Sequence, residues 1–169
     1  MAWNVNNDLM RGNDVYLYIT LPNSAGTIAS AATNAKVVAY ATSCNLQIDS
    51  DTLDVTSKLS CRWQASIAGN ASYTVTADAL YCLRANAAAN SAYTVDDLFN
   101  AMVEGNNVGW FMGSDSSTVC GQVRGLDTTK PYYYGEGTIT SLSIEAGNND
   151  ICSSSISING SGKVKQGGI

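Results

Sequence analysis

Histidine is absent from the 169 residues. Ser-His-Asp and Cys-His catalysis go with it, because both pass a proton through an imidazole. Charge is scarce: 14% of the residues are Asp, Glu, Lys or Arg, against the ~25% usual for soluble domains. The nine cations are scattered, with Lys163 and Lys165 the densest spot, and the net charge is −5. Tight binding to a phosphate backbone needs several cations on one face, so the composition speaks against it. An acidic chain can still face DNA if its task is to let the duplex slide. The five cysteines form no C-x-x-C pair. A zinc site without histidine would need four thiolates together, so none is expected. The chain opens with neither a basic stretch nor an apolar core of a leader, and the cysteines are expected as reduced, mostly buried thiols of a cytoplasmic product. No apolar run approaches the ~18 residues of a membrane span, so no transmembrane helix is expected.

What fills the chain instead is Ser, Thr, Asn, Ala and Gly. A poorly charged surface repels copies of itself weakly and permits close self-packing. That favours an assembly subunit over a freely diffusing enzyme. Hydrophobic content of 45% is too high for a disordered chain, and the length suits a single domain over 1–169 with an arm at 1–11 and a tail at 165–169.

The clearest pattern lies in residues 55–80. Cys61, Trp63, Ala65 and Ile67 alternate with Arg62, Gln64 and Ser66. Tyr73, Val75 and Ala77 then alternate with Ser72, Thr74, Thr76 and Asp78. Strand side chains alternate faces, so each run has an apolar and a polar side. Gly69-Asn70 between them suits a tight turn, which predicts an antiparallel hairpin with Trp63, Ile67, Tyr73 and Val75 on the core. Its polar face has two readings: a solvated outer surface, or the lining of a water-filled channel built by several copies.

Residues 15–21 predict a strand, rich in β-branched and aromatic side chains and broken by Pro22. Residues 36–48 predict a second, long strand, and 49–58 a polar loop. Residues 93–105 predict a helix. Thr94 and Asp97 have the spacing of a capping box, Leu98, Phe99, Met102 and Val103 form its expected docking face, and Gly105 is its stop. Strands are expected at 108–112, 138–145 and 151–158, with a short edge strand at 118–123, a bulge near Thr140-Ser141, a turn at 147–150, and a last strand plus tail from Gly160. The total is an all-β fold, a sandwich or barrel, with a single flanking helix.

Candidates for chemistry are weak. Asp96-Asp97 reads better as charge at a helix N-terminus than as a catalytic pair. The run Asp49-Ser-Asp51-Thr-Leu-Asp54 resembles a calcium loop, but Asp54 stands where the loop needs Gly and Ser60 where it needs Glu. No cofactor is expected. Tyr132-Tyr133-Tyr134 could stack on bases or sugars, although such runs more often serve cores or interfaces.

The order of features resembles the major tail tube proteins of long-tailed bacteriophages. The matching pieces include Gly12-Asn-Asp-Val-Tyr-Leu-Tyr-Ile, Val38-Ala-Tyr-Ala-Thr-Ser-Cys-Asn-Leu-Gln-Ile and Thr56-Ser57-Lys58 leading to Trp63. Gly135-Glu-Gly137-Thr-Ile-Thr-Ser-Leu-Ser-Ile and the closing Gly160-Ser-Gly162 complete the match, which spans 12–164. The resemblance implies a tail-tube fold forming stacked, hexameric rings whose lumen conducts the viral genome during ejection, with no catalysis. It implies partners as well: further copies of the chain, tail terminator, tape measure, baseplate or tip proteins, and double-stranded DNA in non-specific transit. It implies residence in the virion tail after assembly in the host cytoplasm. Gln64, Ser66, Thr74 and Thr76, or the counterpart set Ser153, Ser155 and Ser157, are the expected lumen-facing residues. Asp49, Asp51, Asp54 and Lys58 are the expected inter-ring contacts. The alternative is a tail-tip or decoration module, a carbohydrate-binding β-sandwich using Tyr132–Tyr134.

Overall fold

The computed structural model describes residues 12–22, 35–60, 62–81, 92–116 and 125–168. Strand β1 (Val15–Thr20) has Leu17, Tyr18, Ile19 and Thr20 buried in succession. A strand buried on both faces sits inside a fold, and its run of branched and aromatic side chains shows why it can. After it come β2 (Lys36–Val38), β3 (Ala41–Asp54), β4 (Ser66–Leu80), β5 (Ala92–Tyr93), helix α1 (Val95–Val103), β6 (Asn107–Ser114), β7 (Tyr132–Glu145) and β8 (Ser153–Gly167). They form one mixed sheet in the order β3-β4-β8-β7-β6-β1-β2-β5, antiparallel except where β2 meets β5.

The sheet curls until its distant parts share one core. Leu17 and Ile19 of β1, Val75 and Ala77 of β4, Trp110 of β6, Ile156 and Ile158 of β8 and Leu98 of α1 pack in a single cluster. The Cys44 thiol of β3 reaches the Val15 carbonyl of β1 at 3.7 Å, although four strands separate those two in sheet order. A second cluster, Tyr18, Val37, Phe111 and Leu126, fills the other side of β1 and β6. The fold is therefore all-β with one flanking helix among the described residues, as the sequence implies.

Several local expectations change. Residues 61–77 are not a hairpin about Gly69-Asn70. Ser66–Leu80 is one continuous strand paired to β3, and the register steps from Ser50↔Ala71 to Thr52↔Ala68. That step spends one extra β4 residue, so Gly69-Asn70 is a bulge. The true hairpin is β3–β4, and its connection is 55–65. Val55 N–H meets the Ala65 carbonyl at 2.9 Å, and Lys58–Ser60 forms a short 3-10 turn. The bulge reverses side-chain parity, which is why Ile67 is exposed; Trp63 lies in the connection, outside any core. Residues 49–54, expected as loop, continue β3. The expected strand at 36–48 is split at Tyr40, whose φ of 53° breaks extended backbone. The strand expected at 151–158 and the later one merge into β8, which reaches Gly167 and so takes in part of the expected tail.

Helix α1 keeps its predicted start. The Thr94 hydroxyl and backbone N–H both bond the Asp97 carboxylate, at 2.9 and 3.1 Å. Gly105, at φ 70°, ends it. Its buried stripe is Val95, Leu98 and Ala101, so Phe99 and Val103 face outward. The spacing i, i+3, i+6 points at the sheet, while i+4 and i+8 drift off it. Asp97→Ala removes both cap bonds and is expected to cost about 1 kcal/mol, or roughly 2–4 °C in Tm, readable by calorimetry. The bulge predicted near Thr140-Ser141 is present between Ile139 and Ser141, and the predicted turn holds Asn149 at φ 63°. The expected arm at 1–11, the edge strand at 118–123 and Cys61, Cys82 and Cys120 lie wholly or mainly outside the described residues. Cys44 and Cys152 are free thiols, each half-buried.

Candidate functional site

Four adjacent strands, β3, β4, β8 and β7, share a polar face. Residues paired across antiparallel strands lie on the same side. Asn45 pairs with Thr76, Thr76 with Ser157, and Ser157 with Ser141. One step along, Ser43 pairs with Asp78, Asp78 with Ser155, and Ser155 with Ser143. The side chains tie to one another: Ser143 Oγ lies 2.7 Å from Ser155 Oγ, and the Ser43 hydroxyl donates to Asp78 at 2.7 Å. The reverse face of the same strands carries Val75, Ala77, Ile156 and Ile158, all buried. The alternation that buries one side leaves the other wet. Asp78 and Glu145 supply its charge where the four strands run side by side, with Asp49 just beyond, and no Lys or Arg is paired in that stretch; Lys163 and Lys165 lie farther along β8.

This arrangement unites two sets that the sequence left as alternatives. Thr74, Thr76, Ser153, Ser155 and Ser157 lie on one continuous face. Gln64 does not join them; it is in the hairpin connection. Ser66 pairs with Asp54 beyond the bulge, where parity has switched. Missed by sequence reading were Ser43, Asn45 and Gln47 of β3 and Ser141 and Ser143 of β7. Their alternation with Cys44, Leu46, Leu142 and Ile144 was the available signal.

Among the described residues the face is bounded by two free strand edges. β3 ends the sheet order. β7 loses its β6 neighbour after Thr138, whose partner Asn107 begins β6, so Ile139–Glu145 pairs on one side alone. Unpaired N–H and C=O rows are templates for another strand.

A projecting arm continues from the same strands. β4 pairs with β8 from Leu80 back to Thr74, and beyond that, among the described residues, β3 and β4 pair only with each other. Two-stranded ribbons are marginal alone, yet this one exposes Ile48, Leu53, Val55, Leu59, Trp63 and Ile67. Leu59 is 93% and Trp63 77% accessible. The inter-ring candidates all fall here: Asp49, Asp51 and Asp54 along β3 and Lys58 in the tip turn. The three carboxylates are strung along a strand and do not converge, and no group of three metal-ligating residues exists among the described residues. Asp54 accepts the Thr56 hydroxyl and its N–H, the latter at 2.8 Å. The Thr56 hydroxyl, chiefly, holds the Asp54 carboxyl below its ordinary pKa. A depressed carboxylate stabilises the fold at neutral pH and loses that contribution as pH falls through its folded value. Hydrogen-exchange protection of the Thr56 amide should therefore vanish in acid, and Asp54→Ala should abolish it at every pH.

The remaining candidates are structural. Tyr132 and Tyr134 pack on Phe111, with centroids 6.4 and 5.7 Å away, leaving Tyr133 exposed. Asp97 caps α1, and Asp96 accepts the Tyr81 hydroxyl at 3.1 Å. The cleft beside α1, lined by Leu21, Pro22, Asp97 and Glu104 among others, is about 180 Å³ and gathers no catalytic set. No helix is long and apolar enough to cross a membrane among the described residues.

The family model for phage tail tube protein matches residues 9–166. The chain belongs to the phage tail tube protein family. This is a family of structural subunits of the virion tail. Solved structures share the fold at low identity. The tail of an empty gene transfer agent particle, refined with helical and C6 symmetry, aligns with TM-score 0.64 at 15% identity, over 93% of this chain and 98% of that one. The SPP1 tail tube gives 0.64 at 12% identity, over 95% and 80%. The baseplate of the anti-feeding prophage gives 0.57 at 6% identity, over 90% and 91%. Among curated proteins none matches the chain in sequence.

Proposed function

We propose that six copies of this tail tube protein close into a ring, each contributing β3, β4, β8 and β7 to one continuous barrel. The free edge of β3 meets the free Ile139–Glu145 edge of the next copy, and closure removes both. Twenty-four strands at about 4.8 Å spacing, tilted about 35–45°, make a wall roughly 45–50 Å across. Thr74, Thr76, Ser153, Ser155 and Ser157 line the bore, and the rings stack through the β3–β4 arm with Asp49, Asp51, Asp54 and Lys58 among the contacts. Double-stranded genome passes through, while terminator, tape measure and baseplate or tip proteins bind the ends and interior. Assembly occurs in the host cytoplasm, and the chain catalyses nothing.

One observation carries this reading: a face of hydroxyls, amides and carboxylates with no cation where its four strands run side by side, bounded by two open edges among the described residues. A duplex moving past that face meets mild repulsion and no cation row to grip its phosphates. Thr76→Lys combined with Ser155→Lys would place twelve cations in each ring of six. Virions carrying it should assemble and eject DNA slowly, with the delay shrinking at high salt. Ejection at the wild-type rate would argue that the face lies elsewhere than on the bore.

A further inference from the structure

We propose that the end of the polar sheet opposite the arm, formed by Tyr40, Glu145, Asp150 and Ile151, is the seat for the arm tip of a second copy. The inference rests on the ring-stacking reading above and names where the arm lands.

β3 itself sets the geometry. Its fourteen residues run from beside Tyr40 to the arm, a span of roughly 45 Å at about 3.3 Å per residue. Tyr40 and the tip therefore stand at opposite ends of one strand. The rim around Tyr40 is contiguous. Leu80 N–H donates to the Tyr40 carbonyl at 3.1 Å, Tyr81 N–H to the Cys152 carbonyl at 2.8 Å, and Ser153 pairs with both Leu80 and Glu145.

Three properties match the two ends. Each exposes large apolar groups: Leu59 and Trp63 at the tip, Tyr40 (59% accessible) and Ile151 (68%) at the rim. Charge is complementary, with exposed Lys58 and Arg62 at the tip and exposed Glu145 and Asp150 at the rim. Tyr40 also holds a left-handed φ of 53°, a strained backbone for an aromatic residue. Among the described residues nothing offsets that strain by burying its ring. Because tip and rim are different surfaces, their contact is head-to-tail and propagates as an open filament instead of closing as a dimer.

The test uses tubes polymerised from the full chain. A carbodiimide joins a lysine amine to a touching carboxylate, and mixing isotope-labelled with unlabelled copies separates links between copies from links within one. Lys58 should link to Glu145 or Asp150 of another copy. Linkage solely to Asp97 or Glu104 beside the helix would overturn the seat. Lys58→Glu with Arg62→Glu should raise the concentration needed for tubes about tenfold, and adding Glu145→Lys with Asp150→Lys should restore it. Tyr40→Gly relieves the strain, so the subunit should melt no earlier, yet rings should stack poorly. Tubes undisturbed by Tyr40→Gly and by Glu145→Lys with Asp150→Lys would refute the seat while leaving the ring intact. A wild-type chain that forms no ring at all would refute both.

Discussion

Gly160→Ala is expected to unfold the subunit or lower its Tm by roughly 6–12 °C, the consequence of about 3 kcal/mol of overpacking in a domain of this size. Gly160 stands where the Tyr73 ring passes under β8, and an added Cβ would overlap that ring. The ring cannot retreat. It is buried against Trp110, centroids 5.5 Å apart, and its hydroxyl donates to the Glu136 and Ser161 carbonyls. Gly135 opens the other side of the same space, where a Cβ would approach the Tyr73 oxygen to 2.7 Å and Trp110 to 3.1 Å. Tyr73 thus ties β4 to β7 and β8 through a slot cut by two glycines. Tyr73→Phe should keep the packing but leave the carbonyls short of a donor, costing about 1–2 kcal/mol. Calorimetry of both variants separates the two effects, and an unchanged Tm in Gly160→Ala would contradict the packing described here.

Replacing Leu59 and Trp63 by serine is expected to leave rings intact and abolish tubes. These side chains are too exposed to stabilise the monomer, so Tm should stay within about 1–2 °C of the parent. At an interface, a buried aromatic anchor contributes about 2 kcal/mol or more. Six arms per ring act together, so the loss between neighbouring rings is of order 10 kcal/mol, far more than stacking can absorb. Electron microscopy of the variant should show short annular particles. Full-length tubes would mean that the arm is not what joins the rings.

How far the sequence announced this depends on the scale of the feature. The all-β class, the helix, its Thr94–Asp97 cap and the bulge after Ile139 were legible because each is set by residues close in sequence. The polar face was legible in part: the periodicity of Thr74, Thr76 and Asp78 and of Ser153, Ser155 and Ser157 is plain. That the two runs are neighbours on one surface is a matter of strand order, which periodicity does not carry. The hairpin was misplaced for a related reason. Gly69-Asn70 suits a tight turn and a bulge equally well, and the choice was made by β3, whose long register pulls 66–80 straight. Trp63 and Ile67 misled because apolar side chains on an alternating run imply a core. In this chain they lie exposed on the projecting arm. Phe99 and Val103 erred in the same direction. Tyr132 and Tyr134, in contrast, pack on Phe111 as core residues, with Tyr133 left exposed.

The central claim is that β3, β4, β8 and β7 form the wall of an axial bore with their hydroxyl face inward. Electron cryomicroscopy of assembled tubes tests it directly. The account predicts twenty-four strands around the hole, β3 of each copy hydrogen-bonded to residues 139–145 of the next, and Thr76, Ser155 and Ser157 pointing at the axis. A map with those three side chains on the outer surface, or with the β3 edge left unpaired between copies, would contradict it.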